Sequence, residues 1–396
     1  METTLSEQQP HRAPAAGPAA GTAPPLVARC RSALLRAWPA LAAYLTVRLL
    51  GVSVLVAWAL ATDRDPVRAL AHADSDWYLR LAEHGYTGPY HPKDLAFFPL
   101  YPGLVALLEP VSPFGFPGTG VVVGWLGALA AAWALFAVGD HLYGRRAGIL
   151  LAVLWGCLPH AVIQSMAYTE GLFTALCGWA LYALLTRRWL VAGGLTVLAG
   201  LTRPTATALI GVVGLAALIA LVRRRDGWRP LAALLVAPLG WLGYLLWVAT
   251  ETGRLDGWFH IQNTLWTMSY DGGGYTLETG YRYLSRPSEL ELDNLAFYVV
   301  GVVLIAAVVL LACSLWQRQP WQLWLFSGVL LATTIGADGY FHSKARFLLP
   351  AFALLLPPAA ALARANRFVA WLAVGVLLVM SAGFGGYLML IWRWSP

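Results

Sequence analysis

The chain has 396 residues, of which 59% are hydrophobic and only 12% charged, with a formal net charge of +7. Soluble globular chains carry about 25% charged residues, so a soluble enzyme is excluded. The basic excess is not a nucleic-acid signature either, because arginine in such a chain marks the cytoplasmic ends of membrane spans. The expected fold class is an all-α polytopic membrane protein, with the lipid bilayer as its first partner and no nucleic acid.

Residues 1–37, rich in Ala and Pro, read as a disordered cytoplasmic tail. One transmembrane domain is expected over 38–396. Apolar segments at 38–61, 119–139, 147–166, 169–185, 189–202, 204–222, 231–250, 296–315, 321–337, 346–363 and 367–391 predict about eleven spans. Arg203-Pro204 interrupts one long apolar stretch between two of them. With the N-terminus inside, fifteen Lys and Arg residues fall on short inner segments and eleven on much longer outer loops, with Arg48 inside a span. That asymmetry puts 62–118 and 251–295 outside. Neither loop is long enough for an independent domain, but each can hold short amphipathic helices lying on the bilayer. The four cysteines, Cys30, Cys157, Cys177 and Cys313, show neither metal-like nor redox spacing.

The first outer loop is the most informative stretch. It crowds His72, Asp74, Asp76, Glu83, His84 and His91 among aromatics, a composition that a passive anchor does not need. Carboxylates beside the bilayer suit an enzyme that takes a lipid-borne substrate and activates an acceptor in water. The periodicity predicts a helix from Asp74, with Trp77, Tyr78, Leu81 and Ala82 on the face of Asp74 and with Asp76, Arg80 and Glu83 on the other. Asp76 and Arg80, at i,i+4, suit a solvated ion pair. Asp74 has two compatible readings, as the N-cap of this helix and as a reactive carboxylate. The run Ala96–Pro102, with aromatics bracketed by prolines, reads as a rigid re-entry into the interface.

The pattern Asp74-x-x-Trp77-Tyr78-x-x-x-Ala82-Glu83-His84-Gly85-Tyr86, followed by Ala96-Phe97-Phe98-Pro99-Leu100-Tyr101-Pro102, resembles the GPI mannosyltransferase 2 (PIG-V) type family and its bacterial relatives. Ala167-Tyr168-Thr169-Glu170, Leu201-Thr202-Arg203-Pro204-Thr205 and Arg346-Phe347-Leu348-Leu349-Pro350 add to the resemblance, which spans roughly 70–356. It implies a GT-C-like fold and a glycosyltransferase that uses a polyprenyl-phosphate sugar, typically mannose, outside the cytoplasm. The family tends to show Trp-Asp and small residues before the Trp-Tyr pair, where this chain has Ala73-Asp74-Ser75-Asp76. The general base therefore lies between Asp74 and Asp76, with Asp74 favoured by its helical face.

The residue types suit the chemistry. Inverting transfer from a sugar phosphate needs a carboxylate to take the acceptor proton and cations to hold the departing phosphate. Arg346, Arg203, Lys344 and His342 are the candidate phosphate ligands, Arg346 first because a guanidinium grips phosphate bidentately. Lys344 has the plainer reading of a snorkelling side chain, and Arg203 that of a structural ion pair with Glu170. Glu170 and the aromatic pair Trp77 and Tyr78 are candidates for substrate binding. So are Gln262 and Trp266 of the second loop, whose alternative is an interfacial helix. Gly272-Gly273-Gly274 reads as a turn.

No cofactor or metal is required by the sequence, although Asp74-x-Asp76 keeps a divalent cation open as an alternative. The protein is expected in the plasma membrane, with its active site extracytoplasmic and its acceptor unidentified. The rival from another class is a transporter or flippase of lipid-linked sugars, which would need polar residues lining a path through the spans.

Overall fold

The computed structural model describes residues 26–71, 73–88, 91–285 and 294–395. His72 and residues 1–25 lie outside them. The described residues are predominantly helical, with no strand beyond one isolated bridge between Tyr270 and Ala337. Helix α1 (Leu26–Ala61) begins well inside the expected tail. The stretch from Leu26 to Trp38 contains no glycine or proline and is built of good helix formers.

The loop that follows α1 folds into α2 (Pro66–Leu70), α3 (Asp74–His84) and α4 (Leu100–Leu108). α3 is amphipathic as expected: Ser75, Tyr78, Leu79, Leu81 and Ala82 are buried, while Asp76 and Glu83 are exposed. There follow α5 (Gly115–Tyr143), α6 (Arg145–Gly156), α7 (Glu170–Leu185), α8 (Trp189–Gly200) and α9 (Thr207–Val222). Then come α10 (Arg229–Val236), α11 (Leu239–Thr252), and in the second long loop α12 (Gly257–Leu265) and α13 (Gly274–Leu284). α14 (Leu295–Trp316), α15 (Trp321–Gly336), the single turn α16 (Lys344–Phe347), α17 (Leu356–Arg364) and α18 (Arg367–Leu390) complete the chain. Gly272 and Gly273, at φ 73° and 100°, make the turn before α13. Asp271 accepts hydrogen bonds from the amides of Tyr275 and Gly273 there, which hold its carboxyl below the ordinary range.

Among the described residues six helices are long and apolar enough to cross a membrane, or seven if the bent pair Phe341–Phe347 and Phe352–Arg364 counts as one span. This multi-pass architecture has fewer full-length spans than the eleven expected. α6 and α8 have 12 residues each, and α7 and α15 have 16. At 1.5 Å per residue these reach about 18–24 Å, short of a hydrocarbon core of about 30 Å. α6 stops because Leu158-Pro159 follows, and a residue preceding proline is driven out of the helical region. The chain then crosses the protein interior as a buried irregular segment to Glu170.

That segment is held from both sides. Arg48, buried in the middle of α1, donates to Ser165 Oγ (2.9 and 3.2 Å) and to the Gly156 carbonyl (3.2 Å) at the end of α6. These hydrogen bonds satisfy a charge that would otherwise be costly inside a span. On the other side α5 presents glycines. A Cβ on Gly124 would stand 2.3 Å from the Met166 carbonyl oxygen, and one on Gly127 would stand 2.7 Å from the Leu172 amide. Small residues let α5 and α7 meet backbone to backbone, which fixes the depth of Glu170. Gly124→Val should therefore overpack this contact at a cost of about 1–3 kcal/mol. Thermal unfolding in detergent should show a lowered midpoint, and an unchanged midpoint would count against this account of the packing.

Candidate active site

α3 starts at Asp74, and its N-terminus is not capped by a side chain. Ala73 precedes it at φ 63°, in a region that a non-glycine residue seldom adopts. The Asp74 amide donates instead to the Tyr168 hydroxyl at 3.1 Å. The carboxylate is thereby left for other work: Oδ2 lies 2.7 Å from Arg346 Nη1, and Oδ1 accepts from Ser395 Oγ at 3.2 Å. The capping reading of Asp74 gives way to an ion pair with a residue far away in sequence.

Glu170 is the first residue of α7 and is 1% exposed. Its Oε1 lies 2.7 Å from Arg203 Nη1 and 3.5 Å from Arg346 Nε. Arg203 also donates to Thr169 Oγ1 at 2.8 Å. Its extended backbone (φ −153°, ψ 149°) follows from the proline after it and ends α8. Arg346 sits on the single turn α16, its guanidinium 5.4 Å from the Tyr168 ring and 5.1 Å from the Phe347 ring. Carboxylates and guanidiniums thus alternate in the order Asp74, Arg346, Glu170, Arg203. Neither arginine is left uncompensated, a condition whose violation costs about 3–5 kcal/mol at a buried site such as that of Arg346.

A cavity of about 230 Å³ opens onto this row. Asp74, Arg346, Arg203, Tyr78, Gln262 and Trp266 line it, together with Phe97, Trp258, Tyr340 and Ser395. Trp77 does not line it but stacks on Phe97 (5.4 Å) and meets Trp266 edge-on (5.0 Å), bracing that wall. The second long loop therefore lines the cavity through Trp258, Gln262 and Trp266, and α12 is not solely an interfacial helix. A largely apolar and aromatic cleft with a few convergent charges is the usual form of a small-ligand site.

Besides Trp77, three expected site residues fall elsewhere, and one lies beneath. Asp76 is on the exposed side of α3, 200° around from Asp74, and the Arg80 guanidinium lies 4.2 Å over the Trp77 ring. Lys344 is 1% exposed, and its Nζ donates to the carbonyls of Thr334 (2.7 Å) and Ala337, closing the C-terminal end of α15. It is neither a snorkelling residue nor a cavity wall. The His342 ring packs among Phe297, Trp392, Tyr340 and Trp394. Glu170 does not line the cavity; it holds the two arginines from below, so its influence on a ligand runs through them. Ser395 and Tyr340 escaped sequence reasoning. Ser395 carries no motif, and Tyr340 shows itself only through its backbone (φ 44°), a strained conformation at a cavity wall. Among the described residues no three His, Cys, Asp or Glu side chains gather where they could hold a metal ion.

No protein-family model matches the chain, and no curated protein matches it. Among solved structures, ArnT from Cupriavidus metallidurans bound to undecaprenyl phosphate is similar, with a TM-score of 0.52 and 14% identity. That match covers 86% of this chain and 75% of that one. ArnT in the apo state gives a TM-score of 0.49 over the same shares, at 14% identity. The Archaeoglobus fulgidus oligosaccharyltransferase, tethered with an acceptor peptide containing the NVT sequon, gives 0.46 at 12% identity, covering 89% of this chain and 56% of that one. The fold is thus a GT-C-like polytopic helical membrane fold.

Proposed function

We propose that the protein is a membrane glycosyltransferase that moves a sugar from a polyprenyl-phosphate donor to an acceptor hydroxyl. The sugar is mannose, as the resemblance to the PIG-V type family implies, and transfer inverts the anomeric centre. The observation that carries this reading is the Asp74–Arg346 pair, 2.7 Å apart on the wall of an aromatic cavity. Such a pair offers a proton acceptor and a phosphate ligand side by side. ArnT, which shares the fold, has been seen bound to undecaprenyl phosphate, and this supports a lipid-linked donor.

In the proposed reaction the acceptor oxygen attacks the anomeric carbon and forms the glycosidic bond. The bond from that carbon to the phosphate oxygen breaks, and its electron pair leaves with polyprenyl phosphate. The acceptor proton passes to Asp74. Arg346 and Arg203 hold the charge that develops on the phosphate, as preorganised cations on the wall of a largely apolar cavity. Among the described residues no hydrogen bond is made by Arg346 Nη2, so the guanidinium can keep Asp74 and Glu170 while receiving a phosphate oxygen. Glu170 is a positioning residue for both arginines. The arginine asymmetry between loops supports an N-terminus in the cytoplasm and a site on the extracytoplasmic side of the plasma membrane.

The test is incubation of the purified protein with radiolabelled polyprenyl-phosphate mannose and a membrane extract, followed by identification of the labelled product. A labelled glycoside of an extract component is expected; label that stays on the polyprenyl carrier would overturn the proposal. The reaction is also expected to need no divalent cation, because a guanidinium already occupies Oδ2 of Asp74 and Asp76 faces away. Transfer should persist in excess chelator. Loss on chelation with recovery on adding back magnesium or manganese would instead favour a cation at Asp74 and Asp76.

A further inference from the structure

A second cavity, of about 590 Å³, lies at the other end of the bundle. α1 and α18 both run between the two ends. Pro39 and Ala43 of α1 line this groove, whereas the far end of α1 leads into the loop that carries Asp74. Arg367 opens α18 in the groove, whereas Leu390 at its far end leads to Ser395 beside Asp74.

The groove is built in two zones, in the same order along two helices. On α6, Arg145 and Arg146 come first, and Ile149, Leu150 and Val153 follow at helical spacing. On α18, Arg367 comes first, with Trp371 and Val374 following. The apolar floor is continuous, since Val153 and Val374 belong to one buried cluster with Ile149 and Leu150 packed against it. No acidic residue lines the groove. Asp140, at the end of α5, is already clamped by Arg36 at 2.6 and 2.8 Å. Among the described residues Arg145, Arg146 and Arg367 form no ion pair, and Arg146 is steadied by donating to the Ala365 carbonyl at 2.9 Å. Three unneutralised guanidiniums at one end of an apolar trough match a ligand with an anionic head and a hydrocarbon tail. Phe368 and Trp371, 74% and 69% exposed beside them, suit the headgroup level of a bilayer.

We infer that this groove is a binding site for an acidic phospholipid. Its phosphate lies among Arg145, Arg146 and Arg367, and its acyl chain lies along Leu150, Val153 and Trp371. Basic pockets between membrane helices hold anionic headgroups by this combination of charge and apolar wall.

Native mass spectrometry of the full chain tests this. Protein purified in neutral detergent is offered phosphatidylglycerol and phosphatidylcholine with identical acyl chains. The wild type should retain phosphatidylglycerol with a preference of about tenfold to a hundredfold, from roughly three basic contacts. Arg145→Gln combined with Arg367→Gln should abolish the preference. Leu150→Trp, which fills the apolar wall and keeps every charge, should reduce retention of phosphatidylglycerol. Millimolar inorganic phosphate should not displace the lipid, because it lacks the chain. Equal retention of the two lipids by wild type would overturn the inference without any variant. So would undiminished retention of phosphatidylglycerol by Leu150→Trp, or displacement by inorganic phosphate alone, which would mark a simple anion site.

Discussion

Asp74→Asn should abolish sugar transfer, lowering kcat by about 10²–10⁴, while the apparent KM for the donor stays near that of wild type. The substitution keeps the size of the side chain and removes the atom pair that can accept the acceptor proton. Arg346 keeps Glu170 as a partner at 3.5 Å, and Arg203 keeps it at 2.7 Å, so the cations that would grip the donor phosphate remain in place. Asp76→Asn is the matched control. Its carboxylate is exposed and is not part of the cavity wall, so its kcat should stay close to wild type. Steady-state kinetics on the two variants decide between neighbouring acids: a dead Asp76→Asn beside an active Asp74→Asn would reverse the assignment.

Arg346 should give the second large effect. Arg346→Lys keeps a positive charge but loses the planar fork that reaches Asp74 through Nη1 and Glu170 through Nε. It should weaken turnover by on the order of 1–3 kcal/mol, the scale of a hydrogen bond to a charged group. Arg346→Ala should be worse and should raise the donor KM, because the phosphate loses its principal ligand. The alanine variant also leaves the partly buried Asp74 carboxylate without its arginine, so part of its defect will be instability. The lysine variant is the cleaner probe for that reason, and its unfolding midpoint should be measured alongside its rate. Donor kinetics indistinguishable from wild type in Arg346→Ala would remove this residue from the site.

Much of the site was legible because each member sits in a short, distinctive stretch at the end of an apolar segment. Asp74 opens the aromatic helix of the first loop, Glu170 follows Tyr168-Thr169, Arg203 precedes a proline, and Arg346 begins an Arg-Phe-Leu-Leu-Pro run. Their pairing was partly foreseeable: Arg203 and Glu170 had been candidates for each other, and they meet at 2.7 Å. That Arg346 joins Asp74 to Glu170 was not, since no local pattern links residues 74, 170 and 346. The error over Lys344 has a simple cause. Lys344 and Arg346 are two residues apart on one helical turn, hence about 200° apart around it, and cannot both face the cavity. Proximity in sequence suggested a cluster of cations where the helix separates them.

The fold class was readable from hydropathy, but the number of spans was not. Hydropathy marks an apolar segment whether it faces lipid or protein, and α6 and α7 are largely buried against other helices. A helix surrounded by protein need not match the bilayer thickness. Ser395 marks the other limit. A serine carries no periodic or motif signal, and only the path of α18 brings it to Asp74.

The central claim is that this cavity breaks the bond between a sugar and a lipid phosphate rather than passing the intact lipid across the membrane. Detergent-solubilised protein, with no sealed compartment, tests it when supplied with a polyprenyl-phosphate sugar and an acceptor-containing extract. Free polyprenyl phosphate should appear in step with the glycosylated product, and Asp74→Asn should produce neither. Protein that moves the intact donor across sealed vesicles yet never releases polyprenyl phosphate in detergent would contradict the claim and identify a flippase.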